Sequence, residues 1–245
     1  MTTRTASTFA DVLAQRLRHD PGRPLVTFYD DATGERVELS ATTWANWVAK
    51  AASLLVEELD LERGDRIRID LPPHWLGTVF LGAAWSAGLV VSDDDAAVVV
   101  CGPATLEDWA PRAADVVVLA CSLLPLGVRF AEPLPPGVHD VGVEIWSQPD
   151  AFVPWDPPGS DDPALEVAGR SVAQAELWRE AAAGAVLGPG AGGGRLLSVA
   201  NPVEEPATFC EPLTQGGSLV LVARAERDRL EATYVAERAT ARFPA

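Results

Sequence analysis

The spacing of hydrophobic and polar positions changes its period many times along the chain, and each change predicts a new element. Apolar residues recur at helical spacing in residues 9–20 and again after Ser40, where Trp44, Val48 and Ala51 share one face. Three short β-branched runs, LVV, AVVVCG and DVVVLA, are apolar throughout, which is typical of strands buried on both faces of a parallel sheet. Strands of this kind that alternate with helices predict an α/β fold.

Capping and turn residues predict where several of these elements begin. Thr8, followed by Asp11, predicts a helix start, and the turn DATG between PLVTFYD and ERVELS predicts a hairpin. We expect Ser171 to cap a helix that runs to about Val186, and residues 122–163 to form a long irregular crossover with a short helix near VEIWSQ. The remaining strands are predicted over DRIRID, ALEVAG, RLLSVA and SLVLVA, and the remaining helices over WLGTVFLGAAWSAG, EEPATFCEPL and DRLEATYVAERAT.

The glycine-rich segment GPGAGGG, residues 188–194, has the spacing of a dinucleotide-binding loop at Gly188, Gly190 and Gly193. Such a loop needs a strand before the glycines and a helix after them, because the N-terminus of that helix binds the pyrophosphate. Here a predicted helix comes first and a predicted strand follows. We therefore interpret the segment as a flexible connection between a helix and a strand.

Charge and composition exclude several classes of partner. The formal net charge of −16 would repel nucleic acid and anionic lipid, and no apolar run reaches the ~18–20 residues of a membrane span. We expect no nucleic-acid and no membrane partner. The N-terminus lacks an apolar signal core, which favours a cytoplasmic protein. Cys101, Cys121 and Cys210 lie far apart in or beside apolar runs, so we expect buried free thiols and no metal site.

Lysine chemistry and acidic clusters offer few candidates. Lys50 is the one lysine among 19 basic residues, and it lies off the apolar face of its predicted helix, so we expect a solvated side chain. Any lysine-dependent mechanism would have to use it. Asp93–Asp95 could bind a cation through carboxylate oxygens, but we favour a solvated turn after a strand.

Four segments carry a resemblance to a known family, and together they cover nearly the whole chain. They are VELSATTWANWVAKAASLL, LERGDRIRIDLPPHWLGTVFLGAAWSAGLVVS, DDPALEV and LLSVANPVEEPATFCEPLTQGGSLVLV. In this order they resemble the N-terminal part of the adenylate-forming superfamily, which includes acyl-CoA synthetases, adenylation domains of peptide synthetases and luciferases. The resemblance implies two packed βα lobes with doubly wound, mostly parallel sheets. One lobe would take residues about 61–170, the other residues about 1–60 and 172–245, with the ligand crevice between them.

The chain departs from this family where the family handles ATP. The family's phosphate loop, T-S-G-[ST]-T-G-x-P-K-G, follows D-P-A-x-L-x-Y, but here DDPALEV leads into AGRSVAQAEL, and Ala168–Ser171 make only a short turn. Backbone N–H groups and hydroxyls of such a loop neutralise a triphosphate. In place of an aromatic loop with a histidine the chain has ANPVEEPATF, where Glu204 and Glu205 would repel a carboxylate substrate. The later motifs for adenine, ribose and Mg²⁺, and the catalytic lysine, have no counterpart up to Ala245.

These departures predict a catalytically inactive relative of the adenylate-forming enzymes that acts as a binding or regulatory module. Its partner would be another protein or a small molecule in the remaining crevice, where the candidate residues are Arg170, Asn201, Glu204 and Glu205. We expect no catalytic residue, metal or cofactor, and residual affinity for ATP, AMP or coenzyme A stays open. One alternative is half of a split adenylate-forming enzyme that a second chain completes. Another is an unrelated hydrolase or transferase, which lacks any evident pairing of nucleophile and base.

Overall fold

The structure is a computed structural model that describes residues 6–188, 190 and 192–244. The strands over these residues are β1 (Pro24–Asp30), β2 (Glu35–Ser40), β3 (Arg66–Asp70), β4 (Val90–Ser92), β5 (Val98–Cys101), β6 (Val117–Ala120), β7 (Val138–Asp140), β8 (Pro163–Val167), β9 (Arg170–Ala173), β10 (Arg195–Ser198), β11 (Ser218–Ala223) and β12 (Ala241–Phe243). The helices are α1 (Phe9–His19), α2 (Ala41–Ser53), α3 (Trp75–Ala87), α4 (Leu106–Trp109), α5 (Val141–Glu144), α6 (Gln174–Ala183), α7 (Ala207–Thr214) and α8 (Arg227–Ala236). A π-helical turn, Leu54–Glu58, continues α2.

The chain divides into two compact units, and each contains one sheet. The first unit takes the chain as far as Ala45, the short segment Pro73–Thr78 and the chain from Ala175 onward; the second takes Asn46–Pro72 and Val79–Gln174. Strand order is β12-β10-β11-β1-β2 in the first sheet and β7-β6-β5-β3-β4-β8-β9 in the second. Only the β1–β2 and β8–β9 pairs of these described strands are antiparallel. The predicted α/β class with mostly parallel sheets is confirmed.

An aromatic cluster forms part of the core of the first unit. Thr8 caps α1, as predicted, because its Oγ1 accepts a hydrogen bond from the backbone N–H of Asp11 at 3.3 Å. That cap starts the helix so that Phe9 faces inward, where its ring lies 6.1 Å from Trp44 and 5.8 Å from Trp178. The indole N–H of Trp44 donates to the hydroxyl of Thr78 at 3.0 Å, so its one polar atom is satisfied in the interior.

Buried strands and a buried tryptophan organise the second unit. The β-branched runs predicted as parallel strands are β4, β5 and β6, and β3 pairs with both β4 and β5. Trp85 of α3 is fully buried, and its indole N–H donates to the carbonyl of Ala164 at 3.2 Å. Gln174 donates back to the carbonyl of Trp85 at 3.3 Å. These two bonds tie β8 and the start of α6 to α3.

The predicted helix cap at Ser171 is wrong. Residues Arg170–Ala173 form β9, which pairs antiparallel with β8, and the helix begins at Gln174. Ala168 and Gly169 join the two strands with φ values of 51° and 75°. Two consecutive residues in the left-handed region match the twist of a tight hairpin, so the chain pairs as a strand before the helix starts. The short strands β7 and β12 are also absent from the sequence prediction.

Lys50 is not the solvated side chain that its helical position predicts. Its side chain is only 17% exposed, and its ammonium group pairs with Asp150 at 3.1 Å and donates to the carbonyl of Gln148. The crossover after the 3₁₀ turn Ile145–Ser147 covers this part of α2. A residue off the apolar face of a helix is therefore partly covered here by a loop that is distant in the sequence.

The glycine-rich segment follows a helix, α6, and precedes a strand, β10. A dinucleotide-binding loop has the opposite order. Gly188, Gly190 and Gly193 have φ values of +88°, +71° and +83°. Pro189 and Ala191 lie outside the described residues. The helix-before-strand order predicted for the segment is confirmed.

Candidate functional site

A cavity of about 520 Å³ opens on one face of the sheet in the second unit. β3 brings Arg66 and Arg68 to this face, because side chains two residues apart on a strand point the same way. Ile67, which lies between them, and Ile69 are buried. The loop after β4, residues 93–96, forms another wall. Trp109 of α4 and Arg112 of the 3₁₀ turn that follows α4 complete the lining. We call it the arginine cavity.

Trp109 is held in place by a hydrogen bond and contacts two guanidinium groups. Its indole N–H donates to Oδ2 of Asp70 at 2.6 Å. The guanidinium carbon of Arg68 lies 5.4 Å from the centre of the Trp109 ring, and that of Arg112 lies 4.9 Å from it. Both distances lie within the range of a cation–π interaction, which orients the two guanidinium groups without neutralising them.

The three arginines of the cavity differ in how their charge is compensated. Arg66 forms an ion pair with Glu166 at 2.8 Å, and this carboxylate raises the pKa of the guanidinium. Arg68 donates to the backbone carbonyl of Asp93 at 2.7 Å. Among the residues that the structure describes, neither Arg68 nor Arg112 forms an ion pair with a carboxylate. The cation–π contacts with Trp109 and the bond from Arg68 to a backbone carbonyl involve no negatively charged partner.

The acidic wall of the cavity is partly fixed by the backbone. Asp93 accepts a hydrogen bond from the N–H of Ala168 at 3.1 Å, which ties the loop after β4 to the β8–β9 turn. The N–H of Asp94 donates to the hydroxyl of Ser92 at 3.1 Å. Asp93, Asp94 and Asp95 therefore line the cavity as a structured turn that contacts Arg68.

The polar part of the lining consists of arginines, aspartates and the indole of Trp109. Arginine presents planar arrays of donors that suit carboxylate and phosphate oxygens. The residues that line the cavity include no serine, threonine, cysteine, histidine or lysine.

The predicted candidates Asn201, Glu204 and Glu205 lie together in the first unit, in the loop between β10 and α7. Asn201 is 8% exposed, and its side-chain oxygen accepts from the N–H of Val203 at 3.1 Å. Its carbonyl accepts from the N–H groups of Glu204 and Glu205 at 3.1 and 2.9 Å. Asn201 thus shapes the loop, and both glutamates are exposed at the carboxyl end of β10.

Arg170 lies in the second unit, at the start of β9. It is exposed and pairs in register with Val167 across the tight β8–β9 turn. The other three candidates belong to the first unit. That all four share one crevice stays a prediction.

The arginine cavity was missed at the sequence level, although one signal for it is visible. The alternation R-I-R-I-D in residues 66–70 places Arg66, Arg68 and Asp70 on one face of a strand. Arg112 and Trp109 reach that face only through the packing of α4 and the turn after it, which no local pattern encodes.

The cysteines are buried free thiols, as predicted. Burial raises the pKa of Cys101 to about 11, and it raises the pKa values of Cys121 and Cys210 as well. The thiolate form that metal binding and nucleophilic attack require is therefore disfavoured at all three. Over residues 6–188, 190 and 192–244, no group of three or more His, Cys, Asp and Glu side chains is arranged to hold a metal ion.

The helices carry no sign of a membrane span. Within the described part of the chain, none is both long enough and apolar enough to cross a bilayer.

Solved structures with the same fold are acyl-CoA synthetases and CoA ligases. An acyl-CoA synthetase from Brucella canis matches 96% of this chain with a TM-score of 0.78 and 14% identity. A benzoate CoA ligase from Burkholderia xenovorans matches 95% with a TM-score of 0.74 and 19% identity. A fatty acyl CoA synthetase from Mycobacterium tuberculosis matches 95% with a TM-score of 0.72 and 15% identity.

These matches confirm the fold expected from the resemblance to the adenylate-forming superfamily. The chain covers 46%, 49% and 48% of the three enzymes, so it spans about half the length of the solved structures that it matches. At such low identities the likeness is one of fold.

A closer relative comes from the curated proteins. No protein-family model matches the chain. A TIGR03089 family protein from Mycobacterium tuberculosis is 39% identical over 251 residues, which is 98% of this chain and 99% of the relative. At this identity and coverage, the chain belongs to the TIGR03089 family.

Proposed function

We propose that this protein is a catalytically inactive relative of the adenylate-forming enzymes, and that it binds an anionic ligand in the arginine cavity. The observation that carries the proposal is the pair Arg68 and Arg112, two guanidinium groups on one tryptophan that have no carboxylate partner among the described residues. The chain has 35 acidic and 19 basic residues, so carboxylates are abundant. Guanidinium groups left without one are a natural place for an external anion.

Two features support the absence of adenylation chemistry. Ala168 and Gly169 make a two-residue turn between paired strands at the position where the related enzymes carry their phosphate loop. Such a turn offers few N–H and hydroxyl donors to a triphosphate. Lys50, the one lysine, is engaged by Asp150 and by the carbonyl of Gln148. We therefore infer that the fold is retained for binding.

The ligand class follows from the charges that line the cavity. Three arginines and three aspartates line the cavity, so one phosphate group in contact with Arg68 and Arg112 is favoured over several phosphate groups that enter together. The solved structures of like fold are CoA ligases, so the phosphate groups of coenzyme A are the first to test. AMP and inorganic phosphate supply the same chemistry in smaller molecules. As part of this proposal the protein works in the cytoplasm, where three buried thiols stay reduced.

A ligand panel and an exchange assay test the two parts of the proposal. Coenzyme A, AMP or inorganic phosphate should raise the melting temperature of the protein in a saturable way, because each binds only the folded state. No shift with any of the three would contradict the binding role. The purified protein should also fail to exchange pyrophosphate into ATP in the presence of carboxylic acids. Acid-dependent exchange would show that adenylation chemistry survives.

The fold likeness to whole acyl-CoA synthetases supports a second candidate, half of an adenylate-forming enzyme completed by another chain. In that case the partner would have to provide a phosphate loop beside β8, where β9 is already paired. Isolation of the native protein at moderate salt discriminates between the two. A stoichiometric partner that restores acid-dependent exchange would favour the split enzyme, and a protein that is isolated alone would favour the binding module.

A further inference from the structure

A second cavity, of about 230 Å³, lies in the first unit between the last turns of α1 and α7. It uses no residue of the arginine cavity. Its lining residues are Val12, Gln15, Arg16, His19, Asp20, Leu213, Thr214, Gln215 and Gly216. We call it the Arg16 cavity. Three of its polar side chains have buried atoms without a hydrogen-bond partner among the described residues.

Arg16 is the central one of these three. The residue is only 5% exposed, and its Nε has no hydrogen-bond partner in the described part of the chain. The nearest acid along the helix, Asp20, is paired with Arg23 at 3.2 Å instead. Burial lowers the pKa of the Arg16 guanidinium. A buried cation with no hydrogen-bonded counter-ion is costly and rare, so it calls for a partner from outside.

Thr214 and Gln215 present complementary groups to the same cavity. The hydroxyl of Thr214 and Oε1 of Gln215 are buried and have no partner among the described residues. Nε2 of Gln215 donates to the carbonyl of Ala181 at 3.2 Å, which fixes the orientation of the amide. The cavity therefore offers one obligatory donor at Arg16, one obligatory acceptor at Gln215, and a hydroxyl at Thr214 that can do either.

We propose that the Arg16 cavity binds a small carboxylic acid that also carries a hydroxyl or amino group. The carboxylate would accept from Arg16 and Thr214, and the hydroxyl or amino group would donate to Oε1 of Gln215. Such a ligand satisfies all three orphan groups and neutralises the guanidinium, which a water molecule cannot do.

A single negative charge fits this cavity better than a phosphate dianion. Asp20 lines the wall, and the cavity lies at the C-terminal ends of α1 and α7, where the helix dipole is negative. A second charge on the ligand would be repelled by both. The volume of about 230 Å³ admits an acid with on the order of ten non-hydrogen atoms.

Thermal-shift titration with defined acids tests the ligand class. L-lactate and glycine carry the extra donor, propionate lacks it, and inorganic phosphate carries more charge. At about 10 mM, L-lactate or glycine should raise the melting temperature by about 3 °C in a saturable way. Propionate and phosphate should give a smaller rise. If neither L-lactate nor glycine raises it, or if propionate matches them, the proposal is wrong.

Three substitutions test the site itself. Arg16→Met keeps the aliphatic packing and removes the buried charge, so the response to the acid should vanish while the ligand-free protein melts at the same or a higher temperature. Arg18→Met changes an exposed arginine on the same helix and should leave the response intact. Thr214→Val is nearly isosteric and should weaken binding about tenfold.

Two results would overturn the proposal. One is a lower melting temperature for ligand-free Arg16→Met, which would mean that the guanidinium is already satisfied in the folded protein. The other is unchanged acid binding in Thr214→Val. This substitution removes only a hydroxyl group and leaves every charge in place, so its effect on binding reports directly on the hydrogen bond from Thr214.

Discussion

At the scale of single residues, buried polar side chains in the first unit hold loops in place. Glu211 is 1% exposed, and its carboxylate accepts hydrogen bonds from the backbone N–H groups of Val186 and Leu187 at 2.9 and 2.8 Å. The segment that follows α6 therefore begins at a fixed point. Asn201 does the same for the loop before α7 through the N–H of Val203.

Replacement of Glu211 by glutamine should destabilise the protein. Glutamine can place its one oxygen where Oε2 accepts from both N–H groups, but its NH₂ group then faces the N–H of Val186, which lies 3.1 Å from Oε1 of Glu211, and two donors meet. We expect the free energy of unfolding to fall by about 1–3 kcal/mol, measured by urea denaturation. Glu205→Gln, on an exposed side chain, is the matched control and should change it little. Equal effects of the two substitutions would contradict the anchoring role of Glu211.

His74 should make stability depend on pH. Burial lowers the pKa of this imidazole to about 3, and its Nδ1 accepts from the N–H of Leu76 at 3.2 Å. In the unfolded chain the imidazole takes up a proton below pH ~6.5, but in the folded protein it stays neutral. Its contribution is therefore complete above pH ~6.5 and is lost as the pH falls toward 3, by about 1.4 kcal/mol per pH unit.

The His74→Asn variant isolates this effect, because the asparagine oxygen can still accept from Leu76. The free energy of unfolding is measured in urea at pH values from 7 to 4. Below pH ~6.5 its slope against pH should be smaller in the variant by about 1.4 kcal/mol per pH unit, which corresponds to one proton. Parallel pH profiles for the two proteins would show that His74 titrates normally in the folded state.

At the scale of elements, sequence and structure agree where the signal is local. Thr8 accepts from the N–H of Asp11, as its capping position predicts. Ser40, after which helical spacing begins in the sequence, accepts from the N–H of Thr43 at 3.1 Å at the start of α2. Sequence and structure disagree where contact with another segment determines the secondary structure. Ser171 fits a helix cap and a strand equally well, and only its pairing with Glu166 across the hairpin selects the strand.

The arginine cavity likewise has one part that the sequence could predict and one part that it could not. The alternation on β3 could have placed Arg66 and Arg68 on one face, but their neighbours from α4 come from tertiary packing. Lys50 is a second case in which tertiary packing overrides a local pattern. Its position on the helix predicts exposure, but the crossover at Gln148 covers it. A helical pattern predicts which face of the helix packs on the core. It does not predict whether a loop from later in the sequence packs on the opposite face.

The start of α5 packs too closely against the crossover to admit a side chain. A Cβ on Gly142 would lie 2.4 Å from the backbone nitrogen of Arg129 and 2.5 Å from the carbonyl carbon of Val128. Gly142→Ala should therefore lower the free energy of unfolding by about 3 kcal/mol in urea denaturation. Gly22→Ala is the control, since a Cβ there meets nothing within 4 Å. A stable Gly142→Ala variant would contradict this packing of the crossover.

At the scale of the whole molecule, a fold of the acyl-CoA synthetases is combined with a net charge of −16. Such a charge repels anions at long range, so an anionic ligand must be held by short-range contacts in a specific cavity. In the proposed binding role, Arg68 and Arg112 provide these contacts. The fold alone does not establish ligase activity, because one fold supports many functions.

The central claim, that the arginine cavity binds an anion, is tested most directly by isothermal titration of coenzyme A into matched charge variants. Arg68→Met with Arg112→Met removes both guanidinium groups, and Arg129→Met removes an exposed arginine elsewhere in the second unit. We predict saturable binding to the wild type and to Arg129→Met, and a loss of at least about tenfold in affinity in the double variant. Equal affinity in all three proteins, or no binding of coenzyme A, AMP or phosphate to the wild type, would contradict the claim.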